Sequence, residues 1–389
     1  MTIGIDASRA NAKQKTGVEA YAYYLIQALK KSIPTHVRVI LYSREPLIGE
    51  LAVLPKNWES KVLEWPPKKI WTHIRLSIEM CVHAPDILFI PAHVAPLIHP
   101  KRTVMTVHDI AAIRFPDTYS RFERWYSVES AKHAVKTLWQ VIVPSVFTQK
   151  EVVALYQDQL TPKRTAGNDV KKLLGKISVI PHGYDRTIFF PQIKERQEKI
   201  AEIKKIYGIT KPYILTIGRL EEKKNTWRII KAFDQLRKKQ GEDMQLVLAG
   251  KPGVGYKKVA STIHESIFEA DIIETGWVDE AHIPYLLAGA TMFFFPSLYE
   301  GFGLPVLEAM GVGIPVIASY NNSLEEVGGT AASYVDAQDI EDLAKKMEEL
   351  LGDTTMQKKM IAEGYLQVAH FSWEACAEKT TRLLLDEEV

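Results

Sequence analysis

Cysteine is nearly absent: of 389 residues, only Cys81 and Cys376 carry a thiol. Two isolated thiols cannot staple a small secreted fold or build a zinc site, so a disulfide scaffold is excluded and a reducing compartment is indicated. No metal-ligand cluster is apparent, and no Asp-x-Asp occurs. No leader is expected either. Met1 to Asp6 reads directly as a strand, without a basic region, a long apolar core or a cleavage site, so no signal peptide is expected. Long apolar runs are scarce. Ala281 to Tyr299 holds nineteen residues without Asp, Glu, Lys or Arg, nominally enough to cross a bilayer. Pro284, Gly289 and Pro296 interrupt it, and its content changes from helical to strand-like, so a short helix followed by a buried strand is expected there.

A strong net charge is lacking too: the chain carries +2, and no nucleic-acid partner is expected. The charge is unevenly spread, however. Residues 1–190 hold 26 Lys and Arg against 16 Asp and Glu (+10), and residues 191–389 hold 23 against 31 (−8). Two halves of opposite sign attract each other; a basic first half also suits an anionic partner such as a membrane surface.

What is present is a regular alternation of strands and helices in a chain long enough for two cores. Strands are predicted at Ile3–Asp6, Val37–Tyr42, Asp86–Pro91, Thr103–Val107, Val141–Ser145 and Ile177–Pro181, with helix or loop between them. A charged helix, Ile193–Tyr207, leads to a second series at Tyr213–Ile217, Gln245–Gly250, Ile272–Thr275, Met292–Phe295, Pro315–Ser319 and an edge strand at Tyr334–Val335. Two α/β domains are expected, 1–190 and 191–370, both Rossmann-like and doubly wound and facing across a cleft, with a last helix in 371–389 packing back toward the first domain. In KKIWTHIRLSIEM, Ile70, Ile74 and Ile78 share one face beside Lys68, Lys69 and Arg75; a surface helix packed through its apolar stripe is favoured over one lying on a membrane.

The chemistry concentrates where strands pass into helices. Thr291 to Ala309 runs from strand through a turn with Gly301 and Gly303 into a helix opened by Pro305, and carries Glu300 and Glu308. Backbone amides at such a helix start favour an anion. Gly218 to Asn225 (GRLEEKKN) sets Arg219, Lys223 and Lys224 at another strand-to-helix junction; an arginine ending a buried strand calls for a partner such as phosphate. Thr16 and Gly17 stand at the first helix start, and His108 follows the strand Thr103–Val107 at the edge where α/β sheets bind ligands.

Taken in order, TGVEAY, VHDI, VPSVFTQKEV, VIPHGYD, GRLEEKKN, EGFGLPVLE and HFSWE resemble the retaining GT-B glycosyltransferases of family 4 over nearly the whole chain. The resemblance implies transfer of a hexose from a nucleotide-diphosphate sugar to a glycan or lipid-linked acceptor in the cytoplasm; peripheral membrane contact through the basic first domain is an expectation from its +10 charge. It implies that Arg219 and Lys224 bind the donor diphosphate, with Gly17, Gly301, Phe302, Gly303 and Leu304 completing that site. Glu308 would hold the ribose, Val278 would lie beside the base, Glu300 would meet the transferred sugar, and His108 would reach that sugar from the first domain. No metal or other cofactor is implied. HDIAAIRFPDTYS resembles mannosyltransferase-like members best, which makes GDP-mannose the expected donor; a UDP-sugar-dependent transferase and a nucleotide-sugar epimerase of the same architecture are the alternatives. AMGVGIPV and NNSLEEVGG depart from the family's commoner AMACGTPV and SLPEVVG, and both bear on packing near the sugar.

Overall fold

A computed structural model describes residues 1–65, 70–92, 94–160, 171, 173–241 and 243–387. The chain divides into two compact units, one of Met1–Arg114, Ser120–Gly183 and Ser372–Val389, the other of Phe115–Tyr119 and Tyr184–Phe371. The second unit begins before residue 190 because Tyr184 and Phe189 are buried in its core.

The first unit is built on β1 (Thr2–Asp6), β2 (Arg38–Ser43), β3 (Trp58–Val62), β4 (Ile87–Ile90), β5 (Arg102–Thr106), β6 (Gln140–Val143) and β7 (Ile177–Val179), in the sheet order β3-β2-β1-β4-β5-β6-β7. Every adjacent pair is parallel. β1, β4, β5 and β6 are buried along almost their whole length, as apolar strands covered on both faces must be. β3 corrects the reading of that stretch as helix or loop. Its sequence, WESKV, buries only Trp58 fully, and pairing with β2 at the sheet edge supplies the order that side-chain burial does not.

The helix Trp373–Leu385 packs on the helix Gly17–Ser32 within this unit. Trp373 stacks on Tyr24 at 5.6 Å, and the hydroxyls of Ser32 and Thr381 share a hydrogen bond of 2.7 Å. Its start is fixed by Ser372, whose hydroxyl accepts from the Ala375 amide at 3.0 Å.

The isoleucine stripe overturns an expectation. A π-helical turn, Thr72–Leu76, runs into an α-helix, Ser77–Val82. Trp71, Leu76 and Met80 are buried, whereas Ile70, Ile74 and Ile78 are 42, 36 and 49% exposed. The wider π turn brings Trp71 and Leu76, five residues apart, to the same inward face. A search for i+3 and i+4 spacing therefore selects the outer face. Lys68 and Lys69, read beside this stripe, lie outside the described residues.

The second unit carries β8 (Tyr213–Ile217), β9 (Gln245–Ala249), β10 (Ile272–Gly276), β11 (Met292–Phe295), β12 (Val316–Ser319) and β13 (Ala332–Val335), all parallel, in the order β10-β9-β8-β11-β12-β13. The period of two sends alternate residues into two cores. Leu215, Val247, Phe293 and Phe295 enter one; Ile214, Leu246, Leu248 and Phe294 enter the other. Ala281 to Tyr299 contains the helix Ile283–Gly289 and then β11. Among the described residues no helix is long and apolar enough to cross a membrane. Phe115–Tyr119, from the first half of the sequence, belongs to this unit, with the Phe115 ring 5.9 Å from that of Tyr299.

Gly183 shows how closely the last helix of the first unit is seated. A Cβ there would lie 2.1 Å from the Trp373 amide nitrogen and 2.3 Å from the Ser372 carbonyl carbon. Backbone cannot yield as a flexible side chain does, so Gly183→Ala is expected to cost about 1–3 kcal/mol, read as a lower urea midpoint.

Candidate active site

In a doubly wound sheet, ligands bind beyond the C-terminal ends of the strands at the point where the order reverses. In the second unit that point lies between β8 and β11. The loop after β8 carries Arg219 and Lys224, and the loop after β11 carries Glu300 to Gly303. The Lys224 ammonium lies 2.5 Å from a Glu300 carboxylate oxygen, with side chains 20% and 13% exposed. It also lies 4.9 Å from the centroid of the Phe295 ring, whose face attracts a cation. Gly218 leaves room for this side chain: a Cβ there would come within 3.3 Å of Lys224 Cδ and Cε.

Arg219 does not sit as its sequence position suggests. Its side chain is 66% exposed and its Nε lies 3.9 Å from the buried Glu221 carboxylate, so burial does not force a partner upon it. β8 ends at Ile217 and the chain turns at Gly218, which leaves Arg219 on the outside of the junction. Its charge is solvated and available.

Three buried polar residues brace the two loops, and the sequence reading gave none of them a role. Asn225, fully buried and in the left-handed region at φ 62°, precedes the helix Thr226–Gln240. Its amide donates to the Pro296 carbonyl at 3.0 Å and to the Ala337 carbonyl at 2.5 Å, and its oxygen accepts from Arg228 at 2.9 Å. Ser323, also fully buried, offers its hydroxyl to the carbonyls of Glu300 at 2.8 Å and Phe302 at 2.9 Å. Asn322 donates to the Ser319 hydroxyl at 2.9 Å and accepts from the Leu324 amide at 2.7 Å. With these carbonyls occupied, the turn passes through Gly303 at φ 119°, where a Cβ would meet Leu324 at 2.4 Å, into the helix Leu304–Gly311 with Pro305 in its first turn. The signal in the sequence was the NNS triplet after β12, polar residues between two apolar stretches.

Glu308 stands on that helix, partly exposed, with its carboxyl pushed up to about 7 by desolvation and, secondarily, by the Glu280 charge. Val278 is 7% exposed and packs into the core beneath β8 and β11, so its side chain presents little surface to a ligand. Among the described residues, no group of three His, Cys, Asp or Glu is placed to hold a metal ion. The arrangement can take an anion at Arg219, Lys224 and the helix start, and can accept hydrogen bonds from hydroxyls at Glu300 and Glu308.

Gly17 and His108 belong to the first unit. Gly17 opens a helix whose N-cap, Thr16, forms a capping box with Glu19, and a Cβ on Gly17 would meet nothing within 4 Å. Glu19 also pairs with Arg9 at 3.1 Å, so a carboxylate already occupies part of this helix start. His108 is 7% exposed; its Nε2 lies 3.2 Å from the Pro91 carbonyl beyond β4. A carbonyl only accepts, so Nε2 carries a proton in this contact. The Tyr21 ring meets it edge-on at 4.6 Å. Asp6, at the end of β1, was not anticipated; burial raises its carboxyl, opposed by a hydrogen bond from Ser8.

Residues 199–367 match the family Glycosyl transferases group 1. O-antigen chain mannosyltransferase B of Escherichia coli is 27% identical over 334 residues, spanning 86% of this chain and 81% of that protein. Serotype-specific mannosyltransferase WbdA of Escherichia coli is 32% identical over 201 residues, which is 50% of this chain but 25% of that longer protein. Sucrose-phosphate synthase of Thermosynechococcus elongatus superposes with a TM-score of 0.74 at 19% identity, covering 99% of this chain and 98% of that one, a likeness of fold. The chain is a glycosyltransferase with a group 1 domain. Its two parallel-sheet α/β units are those of the GT-B fold. Arg219, Lys224, Val278, Glu300 to Leu304 and Glu308 of the glycosyltransferase all fall inside the matched span, and Gly17 and His108 fall outside it.

Two outcomes test this geometry. Ser323→Ala leaves the Glu300 and Phe302 carbonyls without their hydroxyl, so the glycosyltransferase is expected to lose about 1–3 kcal/mol in urea unfolding, with Ser323→Thr recovering much of it. Glu308 tests the electrostatics. A carboxyl raised from 4.5 to about 7 holds its proton in the folded state while the unfolded chain has lost it, so this group's stabilising contribution is full below pH 4.5 and is lost as pH rises toward about 7. Urea midpoints measured across that window should fall less steeply with pH in Glu308→Gln than in the wild type.

Proposed function

We propose that this glycosyltransferase moves a hexose from a nucleotide-diphosphate sugar, GDP-mannose in the first instance, to a hydroxyl of a glycan or lipid-linked acceptor, with retention of configuration. The observation that carries the reading is the Lys224–Glu300 pair at the strand-order reversal, 2.5 Å apart beside a glycine-bracketed helix start. A cation and a carboxylate placed side by side there suit a ligand that is phosphate on one side and polyol on the other. The naming of the Escherichia coli O-antigen relative as a mannosyltransferase supports the choice of sugar.

In this reading Arg219, Lys224 and the amides of the turn take the diphosphate. A leaving nucleoside diphosphate gains negative charge as the glycosidic bond breaks, so fixed cations favour the transition state over the ground state. Glu300 accepts from hydroxyls of the transferred sugar, and Glu308 accepts from the ribose once ionised. The departing phosphate takes the proton of the attacking hydroxyl on the same face, which gives retention. No metal is assigned to these steps, because the side chains supply the positive charge.

The reading is tested by thermal shift with GDP-mannose and with UDP-, ADP- and TDP-sugars. GDP-mannose at a hundred times its Kd should stabilise the protein by about 2.7 kcal/mol. Stabilisation by a UDP-sugar alone would replace the donor, and an inverted anomeric centre in the product, read by NMR, would remove retention. Lys224→Ala is expected to lower kcat by roughly 100- to 1,000-fold.

A further inference from the structure

One stretch from the first half of the sequence is held by the second unit: Phe115–Tyr119 leaves the first unit after Arg114 and rejoins it at Ser120. Its sequence builds the excursion. Pro116 disfavours a helical conformation at Phe115, so the short helix Ala111–Arg114 ends there, and Phe115 takes φ −123° and ψ 63°. A 3₁₀ turn, Pro116–Thr118, follows and is closed on itself. The Thr118 amide and hydroxyl both donate to the Phe115 carbonyl, at 3.1 and 2.7 Å, and the Tyr119 amide donates to the Pro116 carbonyl at 3.3 Å. Both ends are fastened in the first unit. Arg114 makes a two-pronged pair with Glu151, at 2.6 and 2.7 Å, and the Ser120 carbonyl accepts from the Arg124 amide at 2.9 Å at the head of the helix Arg121–Thr137. The five residues form a compact strap.

What the strap reaches is the loop after β11. The Phe115 ring lies 5.9 Å from the Tyr299 ring and is tilted to it by 58°, an attractive arrangement for two aromatic side chains. Tyr299 is buried, and its chain neighbours on both sides are tied to the loop after β8: the Leu298 amide donates to the Lys223 carbonyl at 2.9 Å, and Glu300 pairs with Lys224 at 2.5 Å. Tyr299 thus stands between two points at which the β8 and β11 loops meet. The Ser323 hydroxyl, on the Glu300 carbonyl, holds the peptide that follows Glu300. The contact with Phe115 holds the residue that precedes it.

We propose that Phe115 is a positioning residue for the donor site: through Tyr299 it holds Glu300 against Lys224, so that the carboxylate stands ready for the hydroxyls of the transferred sugar. It acts through Tyr299 and not on the donor itself. Displacing a group that contacts the reacting sugar by an ångström lowers turnover by about 100-fold, so a clamp on the residue before Glu300 has a direct effect on rate. The inference rests on the reading of Glu300 as the group that meets the sugar, and adds to it a residue outside the span 199–367 that matches the family.

Two measurements on the full chain test it, the first without any donor. Reductive methylation of the ligand-free protein, read by peptide mass spectrometry, reports how well Glu300 shields the Lys224 amine. Phe115→Ala is expected to raise the labelling rate of Lys224 on the order of threefold or more, because local opening governs access. Lys359, whose side chain is 74% exposed, serves as the unchanged control. Phe115→Leu keeps apolar bulk against Tyr299 and should recover much of the protection. Thr118→Val removes only the hydroxyl bond that closes the strap; it should move Lys224 in the same direction as Phe115→Ala, and it carries the test if that variant fails to fold. Turnover is the second measurement. With the sugar nucleotide that stabilises the wild type, GDP-mannose first, Phe115→Ala should lower kcat roughly 10- to 100-fold while KM changes less than about threefold. The thermal shift given by the matching nucleoside diphosphate alone should be retained, because Arg219 and Lys224 take that part; a general loss of fold would lower it together with Tm. Equal Lys224 labelling in wild type, Phe115→Ala and Thr118→Val overturns the proposal, and so does a wild-type kcat in both variants. Raised labelling in a protein that no sugar nucleotide stabilises upholds the placement of Glu300 by Phe115 and removes the proposed donor instead.

Discussion

An ammonium and a carboxylate held against each other, both largely withdrawn from water, set the terms for the second unit. Burying two charges costs more than their attraction easily returns unless the geometry is held for them. Here it is held by neighbours: Gly218 makes space for the lysine stem, Phe295 offers a ring face, and Ser323 fixes the backbone of the glutamate. Until a ligand arrives, Glu300 neutralises Lys224. In the proposed reaction a phosphate takes over the ammonium while sugar hydroxyls take over the carboxylate, so the two halves of a sugar nucleotide are recognised by one exchange of partners.

The parallel sheets were legible because buried strands are short runs of Ile, Val, Leu and Phe ended by Gly or Pro. Tyr213–Ile217 and Met292–Phe295 coincide with β8 and β11. The site was legible to the extent that it lies at strand ends, where charged residues beside glycines stand out against apolar runs. What escaped were features without local contrast. β3 is ordered by its neighbour, and the phase of the isoleucine stripe depends on a π turn that sequence spacing does not announce. Arg219 was misplaced in depth because a strand end fixes where a residue lies along the sheet, whereas the Gly218 turn decides which way it points. The bracing by Ser323 and Asn322 joins segments more than twenty residues apart, beyond any local pattern.

The first unit shows a different economy of charge. The helix of residues 72–82 buries Glu79 beside Leu76 and Met80 and leaves Ile74 and Ile78 exposed, and a buried carboxylate is rare unless it is paired. Lys61, Arg75 and His83 converge on Glu79, and Trp71 anchors the helix, its indole nitrogen donating to the Leu63 carbonyl at 2.8 Å.

Asn225 meets two demands at once. Its backbone is left-handed, a state that Gly, Asn and Asp tolerate, while its buried side chain must both donate, to Pro296 and Ala337, and accept, from Arg228. Glycine meets the first demand and neither part of the second; aspartate accepts but, ionised, cannot donate. Among the twenty amino acids this leaves one that satisfies every contact, at the residue directly after Lys224. The lysine's placement thus depends on a neighbour that has almost no freedom to vary, and drift in this part of the chain is limited by an amide that touches no ligand.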